Sequence, residues 1–99
     1  MLNIHTIPVD KDFIAKLKST ENFVANVGTG KSGYSAIDVN TGESVEIYSE
    51  HAYGVASYDD EYIYVYEPIS AKTLKMSYRD FLECFDCGDV AEIINKNKH

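Results

Sequence analysis

His51 opens the β-patterned run "HAYGVASY", and Glu67 closes the next such run, "EYIYVYEP". If the two runs form a hairpin, the carboxylate approaches the imidazole, holds its tautomer and makes it a better base. The plainer alternative is a lone strand histidine packed for structure. Cys84 and Cys87 have the C-x-x-C spacing of redox and zinc sites. One such pair supplies only part of a zinc coordination shell, and nothing in the spacing joins His5, His51 or His99 to it. The neighbours Glu83, Asp86 and Asp89 disfavour a thiolate, which argues against redox use. The expectation is one structural cysteine and one on the surface, both reduced. In "VGTGKSG", Gly30, Lys31 and Ser32 copy the end of a phosphate-binding loop. Ala25 stands where the first glycine of that motif must turn, and the following "YSAIDV" is β-patterned instead of helical. That stretch reads as a polar loop leaving a strand, and no cofactor or metal is expected.

Composition narrows the classes. The 99 residues are read as one domain, 1–99, with a single core. Sixteen acidic against nine basic residues give a formal charge of −7, which opposes direct contact with nucleic acid and favours a protein partner. Eight tyrosines offer stacking surface, but single-strand binders set such platforms in a basic groove. Core packing and one exposed sheet face account for them more simply. An acidic, tyrosine-bearing surface could also imitate nucleic acid and block a DNA- or RNA-binding protein. The opening "MLNIHTIPVDKDF" lacks a signal-peptide pattern, and no run reaches the roughly 18 apolar residues of a membrane span. The expected location is the cytoplasm, with no membrane contact.

The elements that position these residues follow from periodicity and caps. "HTIPVDKDFIAKLKST" reads as a strand, a Pro-Val step and a short helix capped by Asp10, with Phe13, Ile14 and Leu17 at helical spacing. "NFVANVG" is a strand, and "NTG" within "AIDVNTGESVEIY" marks a hairpin turn. In "EYIYVYEP", Tyr62, Tyr64 and Tyr66 alternate with Ile63 and Val65, the pattern of a central antiparallel strand covered on at least one side. "AKTLKMS" is another strand, Ser77 caps the helix "YRDFLECF" in an approximate capping box with Asp80, Gly88 ends that helix, and "DVAEII" closes as a strand. The fold class is α+β, an antiparallel β-sheet or half-barrel with two short flanking helices.

From "DFIAKLKST" to "VAEII" this order of features resembles the second, histidine-bearing half of the catalytic domain of calpain-like cysteine peptidases, within the papain-like group. The specific part is "EHAYGVASYDDEYIYVYEPISAKT", where a strand opening on a histidine is followed by one ending in a polar residue and proline. "KTLKMSYRDFLECFDCGDVAEI" resembles the segment that closes that subdomain. The resemblance covers most of the chain but only about half of the family's domain. It implies that His51 matches the general base and Glu67 the orienting residue, although the family has Asn at the latter position and commonly Trp where Ile69 stands. A carboxylate can still orient the ring. The family's nucleophilic cysteine lies at a helix N-terminus in the preceding subdomain, which this chain does not include. Cys87 would replace it only if a helix began at Asp89, and "DVAEII" favours a strand. The resemblance thus implies a chain inactive as a peptidase alone. The leading expectation is a non-catalytic protein-binding module, an inhibitor or regulator meeting a partner or a second copy of itself. The alternative is half of a split cysteine peptidase, with His51 and Glu67 serving a cysteine from a separate chain.

Overall fold

In chain order the elements are β1 (Ile7–Pro8), α1 (Lys11–Ser19), β2 (Phe23–Thr29), β3 (Ser35–Asp38), β4 (Ser44–Glu46), β5 (His51–Tyr58), β6 (Tyr62–Glu67), β7 (Lys72–Ser77), α2 (Tyr78–Cys84) and β8 (Cys87–Glu92). They come from a computed structural model that describes residues 7–29 and 33–93. His5, His99 and the Gly30-Lys31-Ser32 loop lie outside the described residues.

Both helices start where the sequence offers a cap. Asp10 Oδ1 accepts from the amides of Asp12 at 3.0 Å and Phe13 at 3.2 Å, satisfying donors that the first turn leaves unpaired. Asp12 in the first turn and Lys16 and Lys18 in the last complement the helix dipole. Ser77 Oγ accepts from the Asp80 amide at 3.1 Å and starts α2.

The strands form one antiparallel sheet in the order β1-β8-β2-β5-β6-β7-β3-β4. Strands β5, β6 and β7 are a meander, with β6 central as its alternation predicts. The "NTG" turn closes the β3–β4 hairpin, with Gly42 at φ +76° and its amide donating to the Asp38 carbonyl at 2.8 Å. That hairpin does not sit beside β2. The chain crosses the sheet, and β3 joins the outer side of β7 through Ile37↔Lys75 and Asp38↔Leu74. The sheet remains open, with the short strands β1 and β4 at its edges, so of the two expected forms it takes the sheet and not the half-barrel.

One face of this sheet carries the core. Ile63, Val65 and Glu67 of β6 point into it, with Tyr53 and Val55 of β5 and Leu74 and Met76 of β7. Phe13 and Leu17 of α1 and Phe81 of α2 pack on the same cluster, so both helices cover one face. Each of the large apolar side chains among these contributes about 1.5–3 kcal/mol by leaving water. On the opposite face Tyr62 lies under Lys75 Nζ, 4.6 Å from the ring centre. Tyr64 donates from its hydroxyl to Asp59 Oδ2 at 2.9 Å, and Tyr66 is left exposed.

The end of α2 corrects one expectation. By sequence Gly88 terminates the helix and the last strand begins at Asp89. The helix instead ends at Cys84 with Phe85 extended as its cap, and β8 begins at Cys87 with Gly88 inside it. Gly88 serves a close approach. A Cβ there would lie 2.5 Å from the Asn26 carbonyl oxygen, 2.9 Å from Val27 Cγ1 and 3.0 Å from Phe13 Cε2. The missing side chain lets α1 rest directly on the sheet.

Candidate functional site

His51 is the first residue of β5, paired with Thr29 at the end of β2. Side chains alternate along a strand, so His51 shares the core-side face with Tyr53 and Val55. On β6 the same face carries Ile63, Val65 and Glu67. Gly54 pairs with Tyr66, which sets Glu67 diagonally across from His51, within reach of two long side chains. The two meet: His51 Nε2 lies 2.6 Å from Glu67 Oε1. The predicted hairpin therefore brings together the two residues singled out by sequence.

Two edge-on aromatic contacts and two hydroxyl hydrogen bonds fix the ring's setting. Tyr53 meets the imidazole edge-on, with ring centres 5.1 Å apart, and Tyr48 does so at 6.2 Å from the solvent side. The Tyr48 amide donates to the Tyr53 hydroxyl at 3.0 Å, which ties the preceding loop to the same aromatic group. Thr29 Oγ1 donates to the Cys84 carbonyl at 2.6 Å and anchors the end of α2 beside the histidine. Glu50, just before His51, adopts φ +54°, a left-handed turn from which its amide donates to the Thr29 carbonyl.

Electrostatically the pair is asymmetric. Glu67 is 3% exposed. Burial pushes its carboxyl up, but the Ser70 hydroxyl, the Ser70 amide, the His51 ring and the Ile69 amide together outweigh that and hold it at about 2. The Ser70 hydroxyl and amide reach Oε2 at 2.6 and 2.5 Å. The carboxylate is thus ionised and accepts only, so Nε2 of a neutral ring carries the hydrogen. Nδ1 makes no hydrogen bond among the described residues. The His51 side chain keeps 21% of its surface exposed and lines a shallow hollow of about 390 Å³ with Thr29, Glu50, Asp86 and Cys87.

The cysteines part as the sequence predicts, with Cys84 buried and Cys87 exposed, neither of them in a disulfide. Cys87 lies in β8 opposite Gly28, and Gly28 lies opposite Ala52. That row has the parity opposite to Thr29 and His51, so the Cys87 and His51 side chains leave their strands in opposite directions, although both residues line the same hollow. Cys87 is also two strands away, roughly 10 Å at ordinary strand spacing. No helix begins after it, so it lacks the dipole that activates a thiol. Among the described residues no three histidine, cysteine, aspartate or glutamate side chains converge on a metal position. No helix among them is long and apolar enough to cross a membrane.

Sequence reasoning missed Ser70. Its one visible signal is a hydroxyl residue three positions after a carboxylate in "EPIS", where a turn can fold the donor back. Searches against protein-family models, curated proteins and solved structures each return no match.

Proposed function

We propose that this chain supplies the histidine base of a two-part cysteine hydrolase site, on a scaffold resembling the second subdomain of a calpain-like peptidase. A cysteine-bearing protein partner completes the site. The observation that carries this reading is the 2.6 Å contact between a part-exposed His51 and a buried, ionised Glu67. A histidine kept only for packing has no need of a charged partner on one nitrogen and a second nitrogen, at the rim of a hollow, that makes no hydrogen bond among the described residues. In the completed site Nδ1 takes the proton of the incoming thiol, and the thiolate attacks the acyl carbon. The imidazolium, held by Glu67, then returns the proton to the leaving group. The chain alone is inactive in this reading, because Cys84 is buried and Cys87, though it lines the same hollow as His51, sits in a strand with no helix dipole to activate its thiol.

A second reading is favoured by the residues around the pair. Ile69 is 82% exposed and Tyr48 59%, an apolar rim that fits a protein surface whether or not a thiol arrives with it. On that basis the chain is a binding module, a regulator or inhibitor that keeps the scaffold without the reaction.

One experiment separates them. The chain is used to capture partners from its source, and the complex is treated with a thiol-directed covalent peptidase probe. The split-site reading expects His51→Ala to leave capture intact and reduce labelling of the partner by at least about 100-fold, the scale of a general-base contribution. Equal labelling of wild type and His51→Ala sinks it. Capture without labelling, lost on Ile69→Asp, favours the binding module. Capture of a basic nucleic-acid-binding protein that falls steeply with salt would favour the charge mimic instead.

A further inference from the structure

We infer that Ser70 is a positioning residue for the His51 base: by placing two donors on Glu67 Oε2 it keeps that group a carboxylate and leaves Oε1 aimed at the imidazole. This rests on the reading of His51 as a base. Glu67 ends β6, Pro68 and Ile69 lead into the turn, and Ser70 folds back over the carboxyl it follows. Its hydroxyl and its amide both donate to Oε2, at 2.6 and 2.5 Å. His51 Nε2 lies 2.6 Å from Oε1.

The chemistry follows from what each group can donate. A carboxylic acid must place its proton on one oxygen. On Oε2 that proton would face an amide that only donates. On Oε1 it would be given to Nε2, and the neutral ring would then carry its own hydrogen on Nδ1, the nitrogen that must accept one. Filling Oε2 with donors disfavours both arrangements. It also stops the carboxylate from turning away, since rotation would break two charge-assisted bonds at once. The other titratable groups beside Glu67 are Tyr53 on β5 and Lys72, opposite it in the β6–β7 register. The Ile69 amide also donates to Glu67. Of these donors the Ser70 hydroxyl is the one that a side-chain substitution can remove, and Ser70 is an exposed turn residue.

The test uses the chain alone and needs no partner. Carboxyl ¹³C resonances follow the titration of Glu67, and the exchange rate of the Nε2 proton follows its bond to Oε1. Ser70→Ala is expected to raise the Glu67 midpoint by about one pH unit, the worth of one charge-assisted hydrogen bond, and to speed Nε2 proton exchange roughly tenfold. Ser70→Thr should restore both, and Ile69→Ala should change neither. The inference is overturned if Ser70→Ala leaves both readings unmoved, or if Ser70→Thr fails to rescue them. Its failure leaves the split-site reading open, and failure to find a cysteine-bearing partner leaves the Ser70 result standing.

Discussion

Burial of Glu67 works against its charge, and the donors from Ser70, His51 and Ile69 reverse the balance. The consequence for stability has a definite sign. The folded carboxyl titrates at about 2 against an ordinary value of 4.5, so the unfolded chain takes up this proton first as pH falls. The stabilisation is fully present above about 4.5 and is lost as pH drops toward 2. Urea unfolding of wild type and Glu67→Gln at neutral pH, at pH 4 and near pH 2.5 should therefore show a stability gap that narrows as the acid is added. A gap constant across this range would mean that Glu67 carries no depressed titration. His51 and Glu67 were legible as a pair because they sit on successive β-patterned runs of one hairpin, but their sharing a face depends on the register shift between Val55 and Ser57, which the sequence does not announce. Ser70 was not legible, because a serine after Pro-Ile announces a turn but not the direction in which its hydroxyl points.

Elements with strong periodicity and a cap came out of the sequence nearly whole: α1 with Asp10, α2 with Ser77, and β6 with its alternating tyrosines. The boundary between α2 and β8 did not, because Gly88 was given a role at a helix end that it does not have. Its position is governed by what lies above it, and no local pattern reveals that α1 packs within 3.0 Å of a Cβ it lacks. Gly88→Ala should accordingly cost about 1–3 kcal/mol, measured by chemical denaturation, since the nearest obstruction is a backbone oxygen that cannot rotate aside. Gly28 is a matched control in the adjacent strand. Nothing lies within 4 Å of a Cβ there, so Gly28→Ala should be near neutral. The β3–β4 hairpin shows the same limit at larger scale. Its turn was readable from "NTG", but its place beyond β7 depends on pairing between distant strands.

Across the whole molecule the sheet mixes two kinds of neighbour. The meander β5–β6–β7 joins strands that follow one another, whereas β2 pairs with β8 across more than half of the chain. Fold class and the single-face core were readable because they depend on alternation summed over many residues. The order β8-β2-β5 was not, because nothing local encodes it. The two kinds of neighbour also differ in time. Closing the short loop between β5 and β6 costs less entropy than bringing β2 to β8, so the meander is expected to form in the folding transition state and β8 to dock afterwards. In stopped-flow experiments Val65→Ala should then mainly slow folding, and Val90→Ala should mainly speed unfolding; the reverse assignment would show that the sheet grows from its outer strands. His51 and Glu67 are separated by only sixteen residues of that meander. The pair would accordingly be one of the earliest tertiary features to exist on a newly made chain, assembled before the sheet around it has closed.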